Sequence, residues 1–166
     1  MSELLDWAEK AAIENLRGRR ENAEHLLKEG ATSFTILIAA ATGALAYVVK
    51  GIESHQTWLV YGSAAFAGYL YLLCASLVLR VLRAGSLPAL YNEPQNLYQP
   101  RYTLNQLREV ELQNIQARIV ETRIRNETTA GALNRIRLWA IASPLVFAIT
   151  AYLAEVLPSA QAVAGG

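Results

Sequence analysis

Between Arg80 and Arg137 the chain carries nine basic residues, all of them arginine. Asn92, Asn96, Asn105, Gln106, Gln113, Asn114 and Gln116 accompany them. A guanidinium is planar and presents a fork of donors that matches phosphate or carboxylate, which an ammonium cannot copy. The chemistry this composition offers is therefore hydrogen-bonded anion recognition. Candidate binding residues are Arg101, Arg108, Arg118, Arg123 and Arg125, with Asn92 and Asn96 as further donors, and Arg17, Arg19 and Arg20 of the "RGRR" stretch near the N-terminus. The competing assignment has Arg80, Arg83, Arg135 and Arg137 on lipid headgroups and the others paired with glutamates along a helix.

Catalytic signatures are missing. The sequence has no Gly-rich phosphate loop, no GxSxG, no HExxH and no pair of cysteines. Glu109, Glu111 and Glu121 read as charges on a solvated helix. His25 and His55 are expected on opposite sides of a membrane, where they cannot share a metal within one subunit. Cys74 is a single cysteine inside an apolar run and reads as a small apolar residue. The chain is thus expected to be neither an enzyme nor a cofactor or metal carrier.

The elements that must position these arginines are set by how the apolar residues are grouped. Of 166 residues, 53% are hydrophobic, and the mean hydropathy is +0.19. Between Glu29 and Lys50 lie twenty uncharged residues, which as a helix reach about 30 Å, the thickness of a bilayer's hydrocarbon. A second block lies between Glu53 and Arg80, and a shorter third, "LWAIASPLVFAITAYLA", between Arg137 and Glu155. The expectation is an all-α membrane protein with spans at 30–50, 55–82 and 137–157, a cytoplasmic helix at 1–29, a cytoplasmic connector and long helix at 84–136, and a short tail at 158–166. A soluble bundle with three buried helices is the other solution, disfavoured by the length of the runs.

Charge sets the orientation. Segments 1–29 and 80–137 hold 14 of the 15 lysines and arginines, so both are expected in the cytoplasm, with the 50–55 turn and the C-terminal tail outside. In the cytoplasmic part, Leu5, Ala12, Leu16, Ala23 and Leu27 form one apolar stripe, with a break or bend expected at Gly30. "TLNQ" at Thr103 has the form of a capping box. The helix it opens has one stripe through Leu104, Leu112, Ile115 and Ile119 and another through Leu107, Val110, Ala117 and Ile124. Two stripes call for two neighbours: the N-terminal helix and the same helix of another subunit.

Within the spans, Thr35, Ala39, Thr42 and Ala46 share one face and are candidate pore-lining residues. Ala64 and Gly68 form a small-xxx-small pair suited to close helix packing. Gly131 and Pro144 are candidate hinges, the latter because it frees the carbonyl of Ala140 and something nearby must satisfy that oxygen. The connector "YNEPQNLYQPRY", from Tyr91 to Tyr102, is stiffened by Pro94 and Pro100 and favours turns.

In this order of a charged helix, a span hairpin, the "YNEPQNLYQPRY" connector, an Arg/Asn/Gln-rich helix and a last span, the chain resembles the small transmembrane effectors of bacterial nucleotide-signalling antiphage defence, of the Hailong type. The resemblance implies a homo-oligomeric channel, a tetramer favoured, whose cytoplasmic part binds a nucleotide or short oligonucleotide made by a partner nucleotidyltransferase and whose opening depolarises the membrane. Residues 1–29 depart from a basic binding face, with seven acidic against five basic side chains. A structural or adaptor subunit of a larger membrane assembly, without a pore, is the alternative.

Overall fold

The computed structural model describes the backbone of residues 2–83, 85 and 87–164, and side chains within 3–156. Among the described residues every regular element is helical. They are α1 (Ser2–Glu53), α2 (Thr57–Leu77) continued by a π-helical turn (Val78–Leu82), the short α3 (Pro94–Leu97) and α4 (Leu104–Ala164). Contacts divide the chain into two compact units, Met1–Lys28 with Ala84–Ala130, and Glu29–Arg83 with Gly131–Gly166. The side chains of the expected tail at 158–166 lie outside the described residues.

In the first unit α1 and α4 run side by side in the same direction: Asp6 and Glu9 meet Arg108, and Arg19 meets Asn126. Leu16, Ile115 and Ile119 form the core, with Ala12, Ile13 and Leu90 packed on it. The first stripe of α4 thus faces α1 as expected through Ile115 and Ile119, whereas Leu104 is exposed at the helix start. The capping box forms at Thr103. Its amide and hydroxyl donate to Gln106 Oε1, both at 3.0 Å, and the Gln106 amide donates back to Thr103 Oγ1 at 3.4 Å. Val110 and Ile124 of the second stripe are exposed, so α1 covers only the first of the two.

In the second unit the hairpin of α1 and α2 turns at Ser54 to Gln56, with His55 in the left-handed region at φ 52°. α1 continues through Gly30 without a break. The expected interruption does not occur because glycine serves packing here: a Cβ at Gly30 would stand 2.7 Å from Val81 Cγ1. Buried positions of α1 recur every seventh residue at Gly30, Leu37, Ala44 and Gly51, as they do at Leu16 and Ala23 in the first unit. α2 meets α4 through Gly62, close to Phe147 and Ala151. Gly68 and Ala64 face outward instead, so within the chain it is Gly62 and not the small-xxx-small pair that makes the close contact.

Three of these helices are long and apolar enough to cross a membrane, and at most 33% of the most apolar stretch of any of them is buried within the chain. Ile36, Leu72, Leu79, Ile141 and Leu145 are all exposed. Exposed apolar surface of this extent is the kind that a bilayer or a protein partner covers.

Adding a methyl at Gly30 forces Val81 aside, and the stiffness of a β-branched side chain makes this costly. Gly30→Ala is expected to lose about 1 kcal/mol net of its gain in helix propensity, whereas Gly68→Ala, which meets nothing, gains up to about 1 kcal/mol. Thermal unfolding of the two variants in one detergent checks the opposite signs.

Candidate functional site

Of the arginines of α4, the first unit uses three to hold itself together. Arg108 donates from Nε and Nη2 to Glu9 Oε2, at 3.0 and 2.6 Å, and from Nη2 to Asp6 Oδ1. Hydrogen bonds from the carboxylates of Glu9 and Asp6 push its pKa still higher, so the clamp between α1 and α4 keeps its positive charge throughout the physiological range. Arg125 donates to the carbonyl of Gly85 at 3.1 Å.

Arg118 is the centre of a larger network. Its Nη1 donates to the carbonyls of Ala89 and Leu90, at 3.2 and 3.0 Å, and its Nη2 to Glu111 Oε1 at 2.8 Å. Both side chains are mostly buried, 15% and 11% exposed. The other oxygen of Glu111 accepts from Asn92 and Asn114, each at 3.4 Å. Asn92 Oδ1 accepts from the Glu93 amide and from Asn96 Nδ2, both at 3.1 Å. The structure therefore brings Asn92, Asn96 and Arg118 together, and gathers them around Glu111. The connector is a folded loop, its two turns marked by α3 and by the Tyr102 amide donating to the Gln99 carbonyl.

The remaining candidates lie nearer the surface. Arg17 pairs with Glu14, Arg19 donates to Asn15 at 2.8 Å, and Arg123 stands 3.9 Å from Glu127. Arg20 is half-buried and Arg101 exposed. Asn126 and Thr122, buried where α1 meets α4, were not among the sequence candidates. Asn126 donates to the carbonyl of Arg19 at 2.8 Å, and Thr122 to that of Arg118, also at 2.8 Å. Their signal was present: Thr122 stands seven residues after Ile115, and Asn126 seven after Ile119, both positions of a buried seam. No group of three or more metal-ligating side chains occurs among the described residues.

In the second unit Thr35, Ala39, Thr42 and Ala46 share a face of α1 and all four are exposed. The threonine hydroxyls donate to the carbonyls of Ala31 and Ile38, at 3.1 and 2.8 Å. Pro144 sits inside α4, and the carbonyl it frees is met by its neighbour, as Ser143 Oγ donates to Ala140 O at 2.7 Å. Tyr69 of α2 donates to the carbonyl of Trp139 at 3.1 Å. Gly131 is also helical, and a Cβ there would come no closer than 4.0 Å to Arg135 Nη2. Arg137 binds Glu29 at 2.6 Å and Ser33 at 3.2 Å, where the sequence reading placed it on headgroups.

Removing Arg118 strands the Glu111 carboxylate away from water. Arg118→Met is expected to cost about 3 kcal/mol and to speed hydrogen exchange over residues 87–98, while Arg123→Ala stays within about 0.5 kcal/mol. Ser143→Ala leaves the Ala140 carbonyl unmet and is expected to cost about 1–2 kcal/mol in detergent unfolding, an effect that vanishes if Pro144 is also replaced by Ala.

Comparison with protein families, with characterised proteins and with solved structures finds no match.

Proposed function

We propose that the chain is the subunit of a homo-oligomeric, ligand-gated pore in the bacterial inner membrane, with the first unit in the cytoplasm, acting as an antiviral effector that depolarises the membrane when a nucleotide signal binds. The observation that carries this reading is the uncovered face of α1. Its own chain packs Leu37, Ala41 and Ala44 inward and leaves Thr35, Ala39, Thr42 and Ala46 outside. Each threonine uses its proton on the carbonyl one turn back, which leaves oxygen lone pairs to face outward. A ring of such oxygens in an oligomer replaces water around a cation.

The anion sensor in this reading is the network at Arg118. A phosphate reaching that guanidinium competes with Glu111 for the same fork, and the loosened carboxylate releases Asn92 and the connector. Arg17, Arg19, Arg20, Arg101 and Arg123 supply the outer contacts, and repetition around the oligomer multiplies a weak single site. A second reading, an adaptor without a pore, is favoured by the exposed line of Val110 and Ile124 on α4, a surface suited to a partner helix.

Purified protein in liposomes loaded with a potential-sensitive dye distinguishes the two. The pore predicts nucleotide-dependent dissipation of a cation gradient, altered by Thr42→Leu, and nucleotide binding that weakens as salt rises. A monomer that dissipates no gradient with any nucleotide supports the adaptor and overturns the pore.

A further inference from the structure

The second unit contains a cavity of about 580 Å³ lined by α1, α2 and α4, within the range of small-molecule pockets. Along α1 its wall is a ladder of Tyr47, Ala44, Gly43 and Ala40. Opposite stand Trp58, whose ring meets Phe147 edge to face at 6.4 Å between centroids, with Phe66 and Pro144. Gly43 is open towards it, since a Cβ there meets nothing within 4 Å. None of the cavity's residues belongs to the pore face or to the anion network, so neither explains it.

We infer that this cavity seats one acyl chain of a bilayer phospholipid, whose phosphate lies at Lys50. The inference rests on the membrane reading above. Three features select this occupant. The ladder ends one turn short of Lys50, the only lysine or arginine between Glu29 and Arg80, so a single cation marks one end of an apolar slot. From Lys50 to Ala40 is ten helical residues, roughly 15 Å, half the hydrocarbon thickness and therefore one leaflet. Tyr47 and Trp58 lie towards the same end as Lys50, and amphipathic rings favour the depth at which headgroup meets tail. A polar ligand has little to bind in the slot itself, where Ser63 is buried.

Native mass spectrometry of the full chain, extracted in detergent and titrated with palmitoyl-oleoyl phosphatidylglycerol, tests the assignment. Wild type is expected to retain one lipid through detergent washing. Gly43→Leu fills the slot and displaces at least two methylenes, so it is expected to bind roughly tenfold more weakly. Gly68→Leu, equally unobstructed but outside the cavity, keeps wild-type retention. Lys50→Gln is expected to weaken retention several-fold at low salt, with the difference shrinking as salt rises. Should Gly43→Leu disturb folding, Ala40→Leu replaces it at the far end of the ladder. Equal retention in the filled variants overturns the inference, as does an oligomer that dissociates on filling Gly43 while wild type carries no lipid, which assigns the slot to a second copy. A lipid-free wild type recovered only from membranes removes the lipid and leaves the membrane reading standing. Recovery without detergent removes both.

Discussion

How closely α1 can approach its neighbours is decided by one residue in every seven, and the other contacts are arranged around that distance. In the first unit the position holds Leu16 and Ala23, both buried, and α1 lies against α4. In the second it holds Gly30, Leu37, Ala44 and Gly51, and the two glycines stand against Val81 and Val60 of the α2 hairpin. A repeat of seven keeps one face of a helix turned to its partner over many turns. Both units use a leucine and an alanine at this position, and glycine enters it only in the second, at Gly30 and Gly51. In water a leucine gains stability by leaving the solvent; among hydrocarbon it gains little, and close backbone approach takes over as the source of attraction.

The same seam explains why so many of the polar side chains point inward. Once two helices are this close, any polar residue on the seam is shut away from water and must find a partner. Thr122 and Asn126 bind backbone carbonyls within the unit, and Ser143 binds the oxygen that Pro144 leaves bare. Arg118 and Glu111, two helical turns apart on α4, satisfy each other and hold the residues before the connector as well. Exchange of a carboxylate for a phosphate at such a fork needs no new cavity. It requires only that the incoming anion make up for the pairing it breaks.

Much of this was legible in the sequence. The apolar blocks gave the three long helices, the Thr103 to Gln106 pattern gave the start of α4, and the requirement for a donor at Ala140 was met by Ser143. What the sequence did not convey was which glycines pack. Gly30 looked like an interruption because a lone glycine weakens a helix, and nothing in its own segment announces the Val81 side chain that excludes a Cβ. Ala64 and Gly68 looked like a contact because small residues four apart make one, yet Gly62 occupies that role against Phe147. Spacing within one helix defines a face; only the partner helix decides which face is used. Likewise the arginines were recognisable as fork donors, but the carboxylates that hold Arg108, Glu9 and Asp6 on another helix, stand about a hundred residues away in the chain.

The threonines of α1 illustrate how a surface can serve two environments. A hydroxyl facing hydrocarbon without a partner is costly, but a threonine in a helix can give its proton to the carbonyl one turn back. Thr35 and Thr42 both do so, which would let this face lie against lipid at small cost. The proton is then committed, and what remains outward is acceptor character. On the proposed reading such a face would disfavour anions, and its preference for cations would appear only where several copies converge. In the pore proposed above, the energetic cost would lie in assembly, since the hydroxyl protons of Thr35 and Thr42 on this face already have acceptors.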